Sequence, residues 1–297
     1  MASIDAEHLS FERGALTFSA QAMGDGPVVL CLHGFPDNAG SYRHQLPALA
    51  GAGYRAISLT LRGYEPSSIP ADGDYTMETI ATDILGVIDS LDTGPVHLVG
   101  HDWGAAVAYV AAAGAPARFN SLTVMAVPHA GRFAREGLRI LKQLRLSWYM
   151  GFLNIPWLSD WVVQRQGYAF IRKLWRDWSP GWQPDQGVLD AVIQTLSQPG
   201  VRSAALGYYR AALSVKALLV SAEEAHYKVP VPTLALSGER DGCIASDVFE
   251  RLTVADDFPQ GVRFHRVSGA GHFLHQEKPE VVNPLLLDWL NQYSQHR

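Results

Sequence analysis

Alternating and continuous apolar runs mark the first candidate strands of the chain. Residues 8–21 alternate apolar and polar side chains on either side of Gly14, a pattern that predicts a β-hairpin at the edge of a sheet. Residues 27–32, PVVLCL, are apolar throughout, which is typical of a strand covered on both faces. The chain therefore opens a sheet whose inner strands are buried between two layers.

Strand patterns alternate with helix patterns up to residue 127 and again near the end of the chain. Where strands and helices alternate in this way, the strands run parallel and helices cover both faces of the sheet. The sequence therefore predicts an α/β fold with a mostly parallel central sheet. The predicted segments are a helix up to about Ala50, a strand over 54–61, a helix over 76–91, a strand and a helix within 95–114, strands over 121–127, 232–237 and 262–267, and a helix over 280–290.

Residues 131–228 interrupt this alternation. The segment carries helical patterns broken by three prolines, and it holds six of the eight tryptophans of the chain. We interpret it as an inserted helical cap, or lid, with an aromatic underside. The chain then divides into a first core part, 1–130, the cap, 131–228, and a second core part, 229–297. The six cap tryptophans are Trp148, Trp157, Trp161, Trp175, Trp178 and Trp182.

Basic side chains recur at helical spacing near the start of the cap. They stand opposite Leu138, Leu141 and Leu144, which predicts an amphipathic segment with the leucines packed inward and the cations in water. A helix that lies on a membrane surface is the alternative interpretation. The cations are Arg132, Arg135, Arg139, Lys142 and Arg145.

The stretch 95–114 contains the turn that carries the most chemical information. A strand pattern ends at Gly100, a helix pattern begins at about Ala105, and Asp102 stands between Gly100 and Gly104. Because glycine has no Cβ, the two glycines allow strand and helix to cross closely, and the residue between them is forced into a strained, exposed conformation. The motif GxDxG has the form of the GxSxG nucleophile elbow, with a carboxylate in place of serine.

Two further polar residues follow predicted strands. Asp241 comes soon after the strand 232–237, and His272 comes soon after the strand 262–267. Ligands of open α/β sheets bind beyond the carboxyl ends of the strands, where these side chains would converge with Asp102. The order of nucleophile, acid and histidine is the order used by the α/β-hydrolase fold. Asp102, Asp241 and His272 are therefore the predicted catalytic residues.

Composition and charge exclude several classes of protein. The 297 residues are 47% hydrophobic and 18% charged, which is ordinary for a globular enzyme, and the formal charge of −5 provides no field to attract nucleic acid. Residues 1–14 carry acids and no apolar segment, and no run of about 18 apolar residues occurs. We expect a cytoplasmic protein without membrane insertion, in which Cys31 and Cys243 are free thiols.

Four motifs stand out in the chain: HGFPD at 33–37, GHDWGA at 100–105, SGERDG at 237–242 and GAGHFLHQEKPE at 269–280. They resemble the epoxide hydrolase branch of the α/β-hydrolases, and the resemblance extends over nearly the whole chain, cap included. It implies two cap tyrosines that hold the epoxide oxygen, Tyr149 in SWYMGFLNIP and Tyr209 in GYYRA. It also implies a cis peptide bond before Pro36. Leu153 and Asn154 stand where that family usually has Phe and Gln.

The carboxylate of Asp102 suits displacement at an sp³ carbon, because such an attack leaves an ester that water can cleave. We therefore predict that Asp102 opens an epoxide ring and forms a covalent alkyl-enzyme ester. Tyr149 and Tyr209 would hydrogen-bond the departing oxygen and donate a proton to it. His272, oriented by Asp241, would then activate the water that hydrolyses the ester to a vicinal diol.

The oxyanion formed during ester hydrolysis needs hydrogen-bond donors, and the backbone N–H groups of Phe35 and Trp103 are the predicted ones. Together with Tyr149 and Tyr209, these residues are the expected substrate contacts. The expected partner is a small apolar epoxide, and the protein is expected to be a monomer or a homodimer. We expect no cofactor and no metal, because a pair formed by His272 and His275 lacks a third ligand at useful spacing.

Other reactions and other residues stay open at this stage. Haloalkane dehalogenases share the Asp elbow, the adjacent Trp and the triad, and a ligand-binding protein could keep the fold without catalysis. Phe35 offers no side-chain donor to a halide, which favours the epoxide. Tyr208 and Tyr227 are substitutes should Tyr149 not reach the site. His33 and His101 are read as orienting or packing groups, and Asp37 as a helix or turn cap.

Overall fold

The computed structural model describes residues 6–214 and 227–294. An eight-stranded sheet forms the centre of the molecule, and its strands follow the order β1-β2-β4-β3-β5-β6-β7-β8. The strands are β1 Glu7–Arg13, β2 Leu16–Met23, β3 Val28–Leu32, β4 Arg55–Leu59, β5 Val96–His101, β6 Phe119–Met125, β7 Thr233–Gly238 and β8 Val262–Val267.

The sheet is antiparallel at one edge and parallel elsewhere. β1 pairs with β2 and β2 pairs with β4 in antiparallel register, whereas every later pair, from β4-β3 to β7-β8, is parallel. Phe11 of β1 lies opposite Phe18 of β2 in the edge hairpin. The predicted edge hairpin and the predicted mostly parallel sheet are both confirmed.

Helices cover both faces of the sheet, as predicted. The α-helices are α1 Gln45–Gly51, α2 Met77–Ser90, α3 Trp103–Gly114, α4 Ala130–Arg135, α5 Leu141–Leu146, α6 Trp148–Leu153, α7 Leu158–Trp178, α8 Gln186–Ser197, α9 Val201–Ala212, α10 Ser246–Leu252, α11 Leu274–Glu277 and α12 Pro279–Tyr293. Short 3-10 helices cover Ala39–Tyr42, Pro66–Ser68, Pro116–Arg118, Gly137–Arg139 and Ala255–Asp257.

The continuous apolar run of β3 serves two separate cores. Leu30 and Leu32 belong to the core that also contains the buried faces of α2 and α3, and Val29 and Cys31 belong to the core beneath α1 and α12. Successive side chains of a strand point to opposite faces of the sheet, so a strand between two helix layers needs apolar residues at every position. This explains why PVVLCL shows no polar alternation.

Among the described residues, six helices, α4 to α9, lie between β6 and β7. Apart from the first residue of α4, they fall in the interval 131–228 that the sequence predicts as a cap. Residues 215–226 of that interval lie outside the described part of the chain. Helix α7 is interrupted at residues 165–168, where the backbone leaves the helical region and Gln166 and Tyr168 have positive φ. The segment therefore consists of two helices joined by a kink.

The predicted leucine face near the start of the cap is wrong for two of its three leucines. Leu138 is partly buried against the core, whereas Leu141 and Leu144 are 62% and 52% exposed. The inward position of α5 is taken by Gln143. Gln143 Nε2 donates to the Cys243 carbonyl oxygen at 2.8 Å, and its Oε1 accepts from the Ala245 N–H at 3.0 Å. Because these bonds satisfy a buried amide, they fix which side of the short helix faces the core.

No helix in the described ranges is long and apolar enough to cross a membrane.

Close packing of β3, β5 and α3 depends on two glycines of the elbow. A Cβ on Gly104 would lie 2.1 Å from the Leu32 carbonyl oxygen, and a Cβ on Gly100 would lie 2.5 Å from the Gly104 carbonyl oxygen. Both neighbours are backbone atoms, which cannot move without shifting the sheet. The helix therefore starts directly above the strand ends, where the predicted catalytic residues emerge.

We expect Gly104→Ala to lower the free energy of unfolding by about 1–3 kcal/mol, because the added methyl overpacks α3 against β3. Gly114→Ala, in the last position of the same helix, is the matched control, since a Cβ there meets no atom within 4 Å. The control should change stability by less than about 1 kcal/mol. Urea unfolding of both variants measures the difference, and equal losses would contradict the close-packing argument.

Candidate active site

Asp102 occupies the turn between β5 and α3 in a strained backbone conformation. Its φ and ψ are 52° and −121°, a region that costs a non-glycine residue about 1–3 kcal/mol. Its carbonyl oxygen accepts from the N–H groups of Ala105 and Ala106, and its own N–H donates to the Met125 carbonyl oxygen. These backbone bonds hold the turn, so the carboxyl group is presented above the sheet while remaining 5% exposed.

The loop after β3 approaches the Asp102 carboxyl group from one side. The Phe35 N–H donates to Asp102 Oδ1 at 2.7 Å, and the peptide bond between Phe35 and Pro36 is cis. A Cβ on Gly34 would lie 2.4 Å from Asp102 Oδ1 and 2.7 Å from the Trp103 nitrogen. Both predicted oxyanion donors, the amides of Phe35 and Trp103, therefore lie beside the same carboxyl group.

The structure brings Asp102, Asp241 and His272 together as predicted. His272 Nδ1 lies 3.0 Å from Asp241 Oδ2, and its Nε2 lies 3.4 Å from Asp102 Oδ2. The other oxygen of Asp241 accepts from the N–H groups of Cys243 and Ile244 at 2.7 and 2.9 Å. The imidazole therefore bridges two carboxyl groups, and each of them accepts backbone N–H groups through its other oxygen.

Opposing effects act on the pKa of His272. Complete burial disfavours the charged ring, but the charge of Asp241 and the hydrogen bonds to Asp241 and Asp102 favour it. The second group of effects prevails and raises the pKa of His272 well above its usual value. A proton on this ring is therefore held more tightly as long as both carboxylates carry their charge.

His33 and His101 remain neutral beside this site. Burial lowers the pKa of His33 to about 4 and that of His101 to about 3. The Leu61 N–H donates to His33 Nε2, which leaves the proton on Nδ1, 3.1 Å from the Gly34 carbonyl oxygen. His101 Nε2 lies 2.9 Å from the His272 carbonyl oxygen and donates to it. Both rings hold backbone around the site, which matches their predicted orienting role.

The two predicted cap tyrosines face the core residues of the site. Tyr209, in α9, packs edge-on against Phe35 at 5.3 Å and against Trp103 at 5.1 Å between ring centroids. Tyr149, in α6, lies 5.9 Å from Tyr209, and its Oη is 3.1 Å from Cys243 Sγ. The Tyr209 Oη is buried and has no hydrogen-bond partner among the described residues.

Both hydroxyl groups stay protonated over the physiological range. Burial, followed by the charge of Asp102, raises the pKa of Tyr209 well above its usual value. Burial and the neighbouring Cys243 do the same for the pKa of Tyr149. Each hydroxyl group therefore keeps a proton available for donation, and the contact of both tyrosines with an epoxide oxygen stays a prediction.

The alternative tyrosines lie elsewhere. Tyr208 Oη donates to the Arg62 carbonyl oxygen at 2.8 Å, and Tyr227 stacks on His129 at 4.3 Å. Asp37 does more than cap a turn: its carboxyl oxygens accept from the Asn38 N–H and from side chains that include Ser41, and burial raises its pKa to about 6.

Sequence reasoning misses the role of Trp178 at the end of α7. Its carbonyl oxygen accepts from the N–H groups of Gly242 and His272, both at 3.0 Å, and its ring lies edge-on to His272 at 5.0 Å. A Cβ on Gly242 would lie 2.0 Å from the Asp177 carbonyl oxygen. Gly242, the last residue of the SGERDG motif, is therefore the signal in the sequence that could have revealed this contact.

The aromatic underside of the cap involves fewer tryptophans than the sequence indicates. Trp175 and Trp178 are buried, and Trp175 stacks with Trp182, whereas the other three cap tryptophans are more than half exposed. Trp175 Nε1 also donates to the Pro36 carbonyl oxygen at 2.8 Å. One helix of the cap therefore contacts both the loop after β3 that holds Phe35, here called the oxyanion loop, and the loop after β8 that holds His272, here called the histidine loop.

Known proteins resemble this chain over almost its full length. Residues 27–279 match the family model of the alpha/beta hydrolase fold. Human epoxide hydrolase 4 is 31% identical over 300 residues, which cover 98% of this chain and 80% of the relative. An epoxide hydrolase of Caballeronia sordidicola is 31% identical, with 90% of this chain and 88% of the relative covered.

Solved structures give the same result. An epoxide hydrolase from Vigna radiata superposes with a TM-score of 0.81 at 26% identity, covering 97% of this chain and 98% of that one. An epoxide hydrolase from Bacillus megaterium, solved with an inhibitor, gives a TM-score of 0.83 at 27% identity, covering 95% and 100%. The fold, the carboxylate elbow and these relatives agree, and the chain belongs to the epoxide hydrolase family of the α/β-hydrolase superfamily.

Proposed function

We propose that this protein hydrolyses an apolar epoxide to a vicinal diol in two half-reactions, through a covalent ester on Asp102. The observation that carries the proposal is the buried Tyr209 hydroxyl, which has no partner among the described residues and packs over Phe35 and Trp103 beside the Asp102 carboxylate. A nucleophile and a proton donor thus flank one space. The names of the relatives in both comparisons support the same substrate class.

The two oxygens of Asp102 have different environments and therefore different tasks. Oδ1 accepts the Phe35 N–H at 2.7 Å, whereas Oδ2 lies on the His272 side of the carboxyl group. We assign the attack on the epoxide carbon to Oδ2, which forms the new C–O bond as the ring C–O bond breaks. Oδ1 then becomes the ester carbonyl oxygen and keeps its backbone donor.

Ring opening leaves an alkoxide, which needs a proton before it can persist at neutral pH. Tyr209 and Tyr149 supply hydrogen bonds to the departing oxygen, and one of them transfers its proton. Since burial keeps both phenols protonated, the donors are already in the required state before substrate enters. The apolar rings of Phe35 and Trp103 exclude water from the ring-opening step.

Formation of the ester changes the charge next to His272. The hydrogen bond to Asp102, one cause of the raised pKa of His272, is lost when Oδ2 is alkylated. The pKa of the ring then falls, and neutral His272 can take a proton from the water that attacks the ester carbon. Asp241 stabilises the imidazolium that results, and the Phe35 and Trp103 N–H groups bind the oxyanion on Oδ1.

Dehalogenation by the same nucleophile is the closest rival reaction. A halide leaves as a stable anion and needs donors but no proton, whereas an epoxide oxygen must be protonated. The paired hydroxyl groups of Tyr149 and Tyr209 match the second requirement, and Phe35 provides no side-chain donor for a halide. The site therefore favours epoxides over haloalkanes.

His272→Gln should open the ring but fail to hydrolyse the ester, because only the second half-reaction uses the base. Incubation with a styrene-type epoxide should add the mass of one epoxide to the protein, on the peptide that contains Asp102. Asp102→Asn is the matched control and should show no adduct. The proposal would be contradicted if the mass of His272→Gln stayed unchanged after incubation with the epoxide. It would also be contradicted if the wild-type enzyme turned over a bromoalkane but not the epoxide.

Tyr209→Phe should slow ring opening by about 10²-fold, the lower end of what a positioned acid contributes, because Tyr149 remains. Tyr208→Phe is the matched control in the adjacent position, since its hydroxyl binds the Arg62 carbonyl oxygen. The control should lose about 1 kcal/mol of stability and keep its ring-opening rate. Stopped-flow tryptophan fluorescence under single-turnover conditions measures both rates, and equal effects would remove Tyr209 from the reaction.

Asp241→Asn should lower the pKa of His272, because it removes the nearby charge that raises that pKa. The neutral amide also no longer holds the ring for water activation, so ester hydrolysis should slow by up to about 10⁴-fold. NMR titration of the imidazole measures the pKa, and single-turnover diol release measures the rate. Asp288→Asn is the control, because Asp288 is an exposed carboxylate paired with Arg263. An unchanged His272 pKa in Asp241→Asn would contradict the role assigned to Asp241.

A further inference from the structure

The proposed reaction leaves one nucleophilic group of the site unused. Cys243 is buried, and its Sγ lies close to both Asp102 and His272: the thiol sulfur, one carboxylate oxygen and one imidazole nitrogen all lie within 4.8 Å of one another. No other such group of three His, Cys, Asp or Glu donors occurs among residues 6–214 and 227–294. We propose that Asp102, Cys243 and His272 form a binding site for a soft divalent cation such as Zn²⁺, and that the bound cation inhibits the enzyme reversibly.

The donor distances fit a tetrahedral cation after small side-chain movements. Zn²⁺ bonds of about 2.0–2.3 Å to N, O and S ligands place neighbouring donors about 3.3–3.8 Å apart. His272 Nε2 already lies 3.4 Å from Asp102 Oδ2, a contact that a cation between the two atoms would replace. The sulfur completes a triangle with these two atoms, and a water molecule would serve as the fourth ligand.

The charges of these side chains also suit a divalent cation. Asp102 and the Cys243 thiolate together carry two negative charges, so a bound M²⁺ makes the buried group neutral overall, with neutral His272 as third ligand. Burial raises the pKa of the Cys243 thiol, and the proton displaced by the metal leaves to solvent. Asp241 accepts from His272 Nδ1 and so aims Nε2 at the cation, the usual second partner of a histidine ligand.

A cation at this place would occupy the lone pairs of the nucleophile and of the base at once. Substrate and metal would therefore exclude each other, a consequence that rests on the proposed function, whereas metal binding itself does not. Inhibition should raise the apparent KM for epoxide and leave kcat unchanged, and a chelator should restore the original KM.

Cadmium titration of the substrate-free enzyme tests the site without using activity. Cd²⁺ bound to a thiolate gives an ultraviolet charge-transfer band, and the chain has only two cysteines. Wild type should bind one Cd²⁺ per chain with this band. Cys31→Ala, which alters a thiol buried in β3, is the matched control and should keep the band. Cys243→Ser should lose it, and Asp102→Asn should weaken Cd²⁺ binding at least tenfold.

Circular dichroism and thermal unfolding check that each variant is folded before titration. A wild-type enzyme without the band, or a band that persists in folded Cys243→Ser, would overturn the proposal. The ester adduct of His272→Gln is measured without metal, so failure of the cadmium site and failure of the epoxide mechanism give separate results.

Discussion

The strained backbone of Asp102 is the constraint on which the rest of the site depends. A non-glycine residue at φ 52° persists only where its surroundings fix it, and here α3 starts above β3 with Gly104 packed against the Leu32 carbonyl oxygen. The Asp102 carbonyl oxygen is bound by the first turn of α3, so the carboxyl group can point only away from the sheet. The Phe35 amide and His272 contact the carboxyl group from two sides, because the ends of neighbouring parallel strands bring them there.

The cap is a structural part of this site as well as its cover. Trp178 accepts backbone hydrogen bonds from the acid loop and from the histidine loop, and Trp175 donates to the Pro36 carbonyl oxygen in the oxyanion loop. One helix thus connects the three core loops that hold Asp241, His272 and Phe35. A displacement of α7 would move His272 and the Phe35 amide together, so in the proposed mechanism a change in cap packing would also change ester hydrolysis.

The parts of the molecule that the sequence predicts correctly are those with local causes. Strand patterns and the two elbow glycines indicate the sheet and the position of Asp102, and the order of strand ends indicates Asp241 and His272. The positions of Tyr149 and Tyr209 came from family resemblance, since nothing local marks them. Contacts between cap and core could not be predicted, because they depend on how two separately folded layers meet. For that reason the inward Gln143, the exposed Leu141 and Leu144, and the carbonyl of Trp178 were missed.

The charge balance of the site links its chemistry to its expected sensitivity to metals. Two carboxylates face one imidazole in a buried space, so even a protonated His272 leaves one negative charge that protein partners do not neutralise. Buried charge of this kind favours any electrophile that removes it. In the proposed reaction, alkylation removes this charge by converting Asp102 to an ester, which also allows His272 to act as a base. A divalent cation would instead be attracted by the same carboxylates and would coordinate Asp102 directly, and the neighbouring thiol of Cys243 would supply the soft ligand that the proposed reaction does not need. The same buried carboxylates therefore underlie both the proposed reaction and its proposed inhibition.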